Sequence, residues 1–522
     1  MREVAVAPRL ARDVVRFLRT PLDDAHCHAV LESALATRDE RFVALLDRVV
    51  FSRPQSVYGR LFAHAGIESG DVADLVRRSG VDAALAGLYA AGVYVTLDEF
   101  RGLCPLVRGD LELAVSARDF ANPLARSHYS TRSSGSRSAG TLVPVDLRMI
   151  EHEAAHHAVF LDALDLRTRP TAFWAHAVPV SAGLKNLLRH AKVGAAVARW
   201  FSPTPLAPTR DATAGVAFTA YVLAAGRLAG LRLPWPERVP LARADVVARW
   251  LAGERTQSPA VLWTSVSAAV RVCLAAAEHG LDLTGTTFRV GGEPLTEAKA
   301  RLLAAHGCDA VANYSMAEVG KVAVACADRD AVDDMHVLED KLALLPTPRP
   351  ARADGVRAQA LHVTTLHARA ARFLVNVETG DEGVLAERHC SCAFGGLGFS
   401  THLHALRSYE KVTTEGGTFL GHDLVELVEV ELPAAFGGAP TDYQLVEHED
   451  DGPSRLRLIV SPRVGAVDEA AVVEAVVACL GRRGVGERLT AESWRSAGTI
   501  SVERREPTTN GSLKVLPLRV GA

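Results

Sequence analysis

Three stretches of this chain hold residue types that can do chemistry. The first is "HYSTRSSGSRSAG" (128–140), in which Ser133, Ser134, Gly135, Ser136 and Arg137 follow one another. Serine hydroxyls and backbone N–H groups can wrap a phosphate, and glycine lets the backbone come close. The loop has no lysine, so Arg137 would have to supply the positive charge. Taken alone, it also has the composition of a plain connector. The second stretch pairs "RHCSCAFGG" (388–396) with "ACADRDAVDDMH" (325–336). Cys390, Cys392, Cys326 and His336 are three thiols and an imidazole, the donor set tetrahedral zinc prefers. Four protein ligands leave no position open for substrate, so such a site would be structural. Buried free cysteines are the plainer reading.

The third stretch is "EHEAAHHAV" (151–159), with His152-Glu153-x-x-His156. On a helix, residues four apart share a face, so both histidines could bind zinc with Glu153 as the base of a metallopeptidase. No Gly-x-x-His follows, and the next glutamate is Glu237, so a third ligand at the usual spacing is missing. The alternative is a helix whose His and Glu side chains face solvent or a pocket rim.

These residues need elements to hold them. Apolar periodicity predicts a helix from about 146 to 164 and another over 71–92, with a short β-like turn at 93–100. Between 170 and 345 strands and helices alternate: strand 260–267, helix 268–279, strand 286–292, helix 295–306, strand 309–315. That alternation implies a mainly parallel α/β sheet. From 360 to 385 the pattern becomes β. Near the C-terminus "DYQLVEHEDDGPSRLRLIVSP" reads as a hairpin, "DEAAVVEAVVACLG" as a helix and "AGTISVERRE" as a strand.

Bulk properties exclude several classes. Net charge is −3 with Lys and Arg scattered, which argues against a nucleic-acid surface. No apolar run reaches the length of a membrane span, and the first twenty residues lack a secretory apolar core. Eight unevenly spread cysteines in a chain of 522 residues suit a reducing cytoplasm better than a disulfide framework.

Order along the chain adds what single motifs lack. After the Ser/Gly loop come "FRVGGEPLTEAKARLLAAHGCDAVANYSMAEVG" (288–320), "NVETGDEGVL" (376–385), "LRSYEKVTTEGGTF" (406–419) and "TTNGSLKVLPL" (508–518). In this order they resemble the adenylate-forming superfamily of acyl-CoA synthetases, carrier-domain adenylation enzymes and luciferases, most of all its phenylacetate-CoA ligase and acyl-protein synthetase branch. The likeness covers roughly 120–520.

The resemblance implies a role for each element. Gly291, Gly292, Glu293 and Pro294 would lie along adenine, and Tyr314, between Asn313 and Ser315, would cover its face. Glu318 would hold Mg²⁺, and Asp381 would accept the ribose hydroxyls. Arg407 matches the arginine of the family's linker stretch, and Glu410 falls on its hinge. Lys514 would be the lysine of the mobile domain, bringing positive charge to the carboxylate and α-phosphate as negative charge develops. Members of this branch often carry a Cys-x-Cys after the Thr-Gly-Asp strand and a Cys…His before it, which strengthens the zinc reading.

The sequence also departs from the pattern. Ala317 stands where a phosphate-binding threonine is usual, Leu406 replaces a glycine, and the final Ser-Gly-Lys has become Ser512-Leu513-Lys514. Read instead from Gly511, the lysine position would fall on Ser512. The apolar "VLPL" that follows favours Lys514.

The expectation is an α/β protein in two parts. Residues 1–409 would form a large multi-layer domain with mainly parallel sheets, residues 1–125 being a mostly helical lead-in. Residues 410–522 would form a small α+β mobile domain. The activity implied is ATP- and Mg²⁺-dependent activation of a small carboxylic acid as acyl-adenylate. Transfer to coenzyme A, a carrier-protein thiol or an amine would follow. A degenerate member acting as acyltransferase or scaffold, and more remotely the zinc peptidase, are the alternatives.

Overall fold

The structure, a computed structural model, describes residues 7–132, 142–175, 182–203, 210–292, 294–348, 357, 359–408, 411–414, 417–449, 454–481, 495, 499–509 and 515–519. Its centre is one twelve-stranded sheet. In chain order the first six strands are β1 (Thr171–Trp174), β2 (Arg199–Ser202), β3 (Pro236–Arg238), β4 (Val261–Thr264), β5 (Thr287–Gly291) and β6 (Asp309–Met316). The other six are β7 (Gly320–Ala325), β8 (Met335–Val337), β9 (Leu342–Pro348), β10 (Gln359–Thr365), β11 (Val377–Glu387) and β12 (Thr401–Ser408). Across the sheet they run β9-β10-β11-β12-β8-β7-β6-β5-β4-β1-β2-β3.

The half from β3 to β6 is wholly parallel. The half from β6 to β9 is wholly antiparallel. Sequence explains the division. β4 reads Val261, Leu262, Trp263, all buried, as a strand covered on both faces must be. Beyond β7 the helical crossovers stop, and short links can join only antiparallel neighbours.

Helices lie against the parallel half. α1 (Leu147–Ala163) starts where Asp146 accepts from Arg148 N at 2.9 Å, and it ends at Leu164. α2 (Ala182–Lys192) packs on α1. Ser265 caps α3 (Val266–Glu278), accepting from Ala268 N, and Thr296 caps α4 (Glu297–Ala305), accepting from Lys299 N. Such side-chain caps satisfy N–H groups the first turn would otherwise leave unpaired. Trp174, Trp200 and Phe201 are core residues.

Two local readings change. The helix expected over 71–92 spans Ser69–Ala90 but is broken at Gly80, whose φ of 77° lies outside the helical region. The stretch 93–100 holds a single bridge, Val95 to Val377, and then a short helix, Leu97–Arg101, capped by Thr96.

The chain after β12 builds a second sheet, ordered β15-β14-β13-β16. Its strands are β13 (Tyr443–Glu449), β14 (Ser454–Val460), β15 (Ile500–Arg504) and β16 (Leu518–Arg519). α5 (Glu469–Gly481) packs on it, and among the described residues the core it shares with Leu424, Leu427 and Leu432 draws on residues 424–518. Among the described residues no helix is long and apolar enough to cross a membrane.

Candidate functional site

β5 ends on Gly291, which pairs with Asn313 of β6. A Cβ on Gly291 would stand 2.8 Å from the Asn313 carbonyl oxygen, so no other residue fits that pairing. Gly292 follows with φ of +80°, turning the chain out of the sheet in a conformation that favours glycine. Pro294 is half-buried just beyond. Asn313 donates to Ser315 Oγ at 3.1 Å.

Tyr314 connects this strand end to β11. Its Oη donates to Asp381 Oδ2 at 2.8 Å, and burial together with that carboxylate raises its pKa well above the usual phenol range. Thr379 Oγ1 accepts from Asp381 N at 3.1 Å, fixing the backbone that carries the carboxylate. Arg407 lies on the neighbouring strand β12, opposite Glu382. Its guanidinium donates to Leu406 O at 2.6 Å and sits 3.6 Å from Asp333.

Glu318 is half-buried in the turn between β6 and β7, and its carbonyl accepts from Arg372 N at 3.0 Å. Lys185 of α2 lies within its electrostatic reach. Burial first, then repulsion from Arg189, lowers the Lys185 pKa to about 8, while Glu153 and Glu318 oppose the shift. No sequence motif marked Lys185, because its neighbours come from other elements.

Cys326, at the end of β7, His336 of β8, and Cys390 and Cys392, between β11 and β12, meet in one place. The thiols lie 3.3 to 3.9 Å apart, and His336 Nε2 is 3.1 Å from Cys392 and 3.4 Å from Cys390. A zinc bound by sulfur at 2.3 Å and imidazole nitrogen near 2.05 Å gives tetrahedral edges of about 3.8 and 3.5 Å. These donors fit that ion. His402 brings a further donor within 4.8 Å of Cys326, His336 and Cys390, while its Nδ1 is held 2.8 Å from Asp334.

The His-Glu-x-x-His helix is α1. His152 Nε2 and His156 Nε2 do share a face, and Asp340 lies between them at 2.6 and 2.8 Å. Asp340 is a third donor that the sequence did not suggest. Glu153 points elsewhere. It binds Arg189 and Lys341 and accepts from Lys321 N at 2.7 Å. Burial pushes its pKa up, but Arg189 and Lys341 outweigh it and hold the carboxylate well below its usual range. A carboxylate so neutralised is a poor base.

Ser133, Ser134, Gly135, Ser136, Arg137, Glu293, Glu410 and Lys514 lie outside the described residues. The strands flanking the Ser/Gly loop, Tyr129–Arg132 and Leu142–Val145, pair antiparallel.

No protein-family model matches the sequence. No curated protein matches it either. Solved structures do. 2-Hydroxyisobutyryl-CoA ligase, in the postadenylation state with 2-HIB-AMP, aligns with 96% of this chain and 90% of its own at 13% identity, with a TM-score of 0.51. An anthranilate CoA ligase in complex with anthranoyl-AMP aligns over 74% of this chain and 64% of its own, at 12% identity and a TM-score of 0.44. O-succinylbenzoate coenzyme A synthetase from Bacillus subtilis, in complex with ATP and magnesium ion, aligns over 76% and 70%, at 11% and 0.43.

Proposed function

We propose that this chain, which has the fold of the adenylate-forming enzymes, activates a small carboxylic acid with ATP and passes the acyl group to a thiol or amine. Coenzyme A is the first acceptor to try, because the structure sharing this fold over 96% of the chain is named a CoA ligase. In the first step a carboxylate oxygen attacks the α-phosphorus, a new P–O bond forms, and pyrophosphate leaves. In the second the acceptor attacks the acyl carbon and AMP leaves.

One observation carries this reading: the turn at Gly291–Gly292 and the Tyr314–Asp381 pair converge at the ends of β5 and β6. There Gly291, Gly292 and Pro294 offer backbone to adenine, and Asn313, Tyr314 and Ser315 border it. Asp381 accepts the ribose hydroxyls, and Arg407 lies on the adjoining strand. Glu318 is the oxygen ligand for Mg²⁺, a hard cation that neutralises phosphate charge when bound. Ser133 to Arg137 would hold the leaving pyrophosphate, and Lys514 would stabilise charge on the reacting oxygens. Cys326, His336, Cys390 and Cys392 hold a structural zinc that ties β7 and β8 to the link between β11 and β12.

Exchange of labelled pyrophosphate into ATP, run with aryl and alkyl acids, tests the reading. Exchange with at least one acid, abolished in Lys514→Ala while ATP still binds, is the expected result. No exchange with any acid, together with no ATP-dependent thermal shift, would sink it.

A further inference from the structure

The face of the sheet beneath α1 and α2 is rich in buried cations. Phe288 and Val290 of β5 join the core on the opposite face, so Arg289 between them points toward α1 and α2. Its strand partner Val311, and Val324 of β7, lie in the core on that side. Lys321 of β7 reaches the same space, as do Arg189 and Lys341, which share Glu153. Among the described residues no carboxylate forms a hydrogen bond or ion pair with the side chains of Arg289 and Lys321; Glu153 offsets part of the repulsion on Lys321, while Arg189 and Arg289 add to it and Arg189 repels Arg289.

Polar atoms without partners gather here. Lys321 Nζ, Arg289 Nε, Trp263 Nε1 and both ring nitrogens of His157 are buried with no hydrogen bond among the described residues. Three of these residues pack on one another. The His157 ring is 5.0 Å from Trp263, and the Arg289 guanidinium lies 4.3 Å over the Trp263 ring. His190, 4.2 Å from His157, also has a free Nε2. Lys321 and His157 are 1% and 0% exposed. Native proteins rarely leave buried donors unpaired, and a buried charge needs a counter-charge. Several donors without partners around two buried cations describe a receptor for an anion.

We propose that Arg289, Lys321, His157 and Trp263 form a buried receptor for a carboxylate, and that the acid this chain activates is a dicarboxylic acid. The proposal rests on the adenylation reading for its geometry. Arg289 precedes Gly291 by two residues on one strand face, a rise of about 7 Å. An acid whose reacting carboxylate meets the α-phosphate near the ends of β5 and β6 would place a second one, several carbons away, among these donors. Burial first, then repulsion from Arg189, holds the pKa values of Lys321 and Arg289 well below their usual ranges.

Titration calorimetry on the full chain, with matched pairs, tests this directly: butyrate against succinate, valerate against glutarate, benzoate against isophthalate. At least one diacid should bind tenfold or more tighter than its monoacid. That ratio should fall to about one in Arg289→Met and Lys321→Met and persist in Lys321→Arg, with thermal melts reporting whether each variant folds. Ratios within twofold for every pair, or a ratio indifferent to both methionine variants, would overturn the receptor. The two readings fail separately. Diacid preference without pyrophosphate exchange leaves the receptor and removes adenylation. Exchange with monoacids alone does the reverse.

Discussion

The phenol of Tyr314 donates a 2.8 Å hydrogen bond to Asp381, joining strands that are 67 residues apart in sequence and not neighbours in the sheet. Hydrogen bonds to a charged group contribute about 1.5–3 kcal/mol, so their loss corresponds to about 10- to 150-fold in affinity. Asp381→Asn should therefore raise the ATP KM by about that factor and change kcat much less. Tyr314→Phe should cost less, because Asp381 keeps its place through Thr379. Equal ATP affinity in wild type and Asp381→Asn would remove the ribose role.

The Cys326, His336, Cys390 and Cys392 cluster makes a prediction about content. Purified chain should carry about one zinc, and chelation at neutral pH should lower its melting temperature, because a site absent from the unfolded chain couples binding to folding. Cys392→Ser should lose the metal. His402→Ala should keep it, since the set with Cys392 is the more compact. Elemental analysis decides; a zinc-free chain that melts no lower would show the cysteines to be packing residues.

Much of this was legible locally. The helix expected over 146–164 is Leu147–Ala163, because Asp146 is a strong cap and the apolar period is long. The alternating elements from 260 to 315 fall within a few residues of expectation for the same reason. What sequence could not supply is register. β8 pairs with β12, not with the strand that follows it, and that pairing brings His336 to the cysteines beyond β11. Asp340 joins His152 and His156 from 188 and 184 residues away, where no spacing rule looks. Arg289 and Lys321 read as ordinary strand residues until both are found beneath α1.

A second long-range pair governs how the C-terminal part docks. Lys299 of α4 and Glu429, in the segment Leu427–Glu431, form an ion pair with side chains 1% and 2% exposed. Removing one partner of such a pair strands a buried charge and costs about 3–5 kcal/mol, whereas replacing both with apolar residues is often neutral. Lys299→Met should thus destabilise strongly, and Lys299→Met with Glu429→Leu should recover most of the loss. Urea unfolding of the single and double variants measures it. A single variant within 1 kcal/mol of wild type would mean the pair opens to water in solution.

The buried histidines set the response to acid. Burial lowers the His190 pKa to about 3, and it holds His157 well below its usual range. The charged neighbours that face them are Arg189 from α2, Arg289 from β5 and Lys321 from β7, all cationic, so each adds to the shift. The folded state binds these protons more weakly than the unfolded chain, whose histidines titrate near 6.5. The stability they contribute is therefore complete above that pH and declines as pH falls below it, by about 1.4 kcal/mol per pH unit for each. Between pH 8 and pH 5 the pair should cost about 4 kcal/mol. Urea midpoints at pH 8, 6.5 and 5 should show the decline, to which His156, His362 and His367, also lowered by burial, add, and it should become smaller in His190→Phe. A midpoint that stays flat from pH 8 to 5 would show that the folded state does not hold these imidazoles neutral.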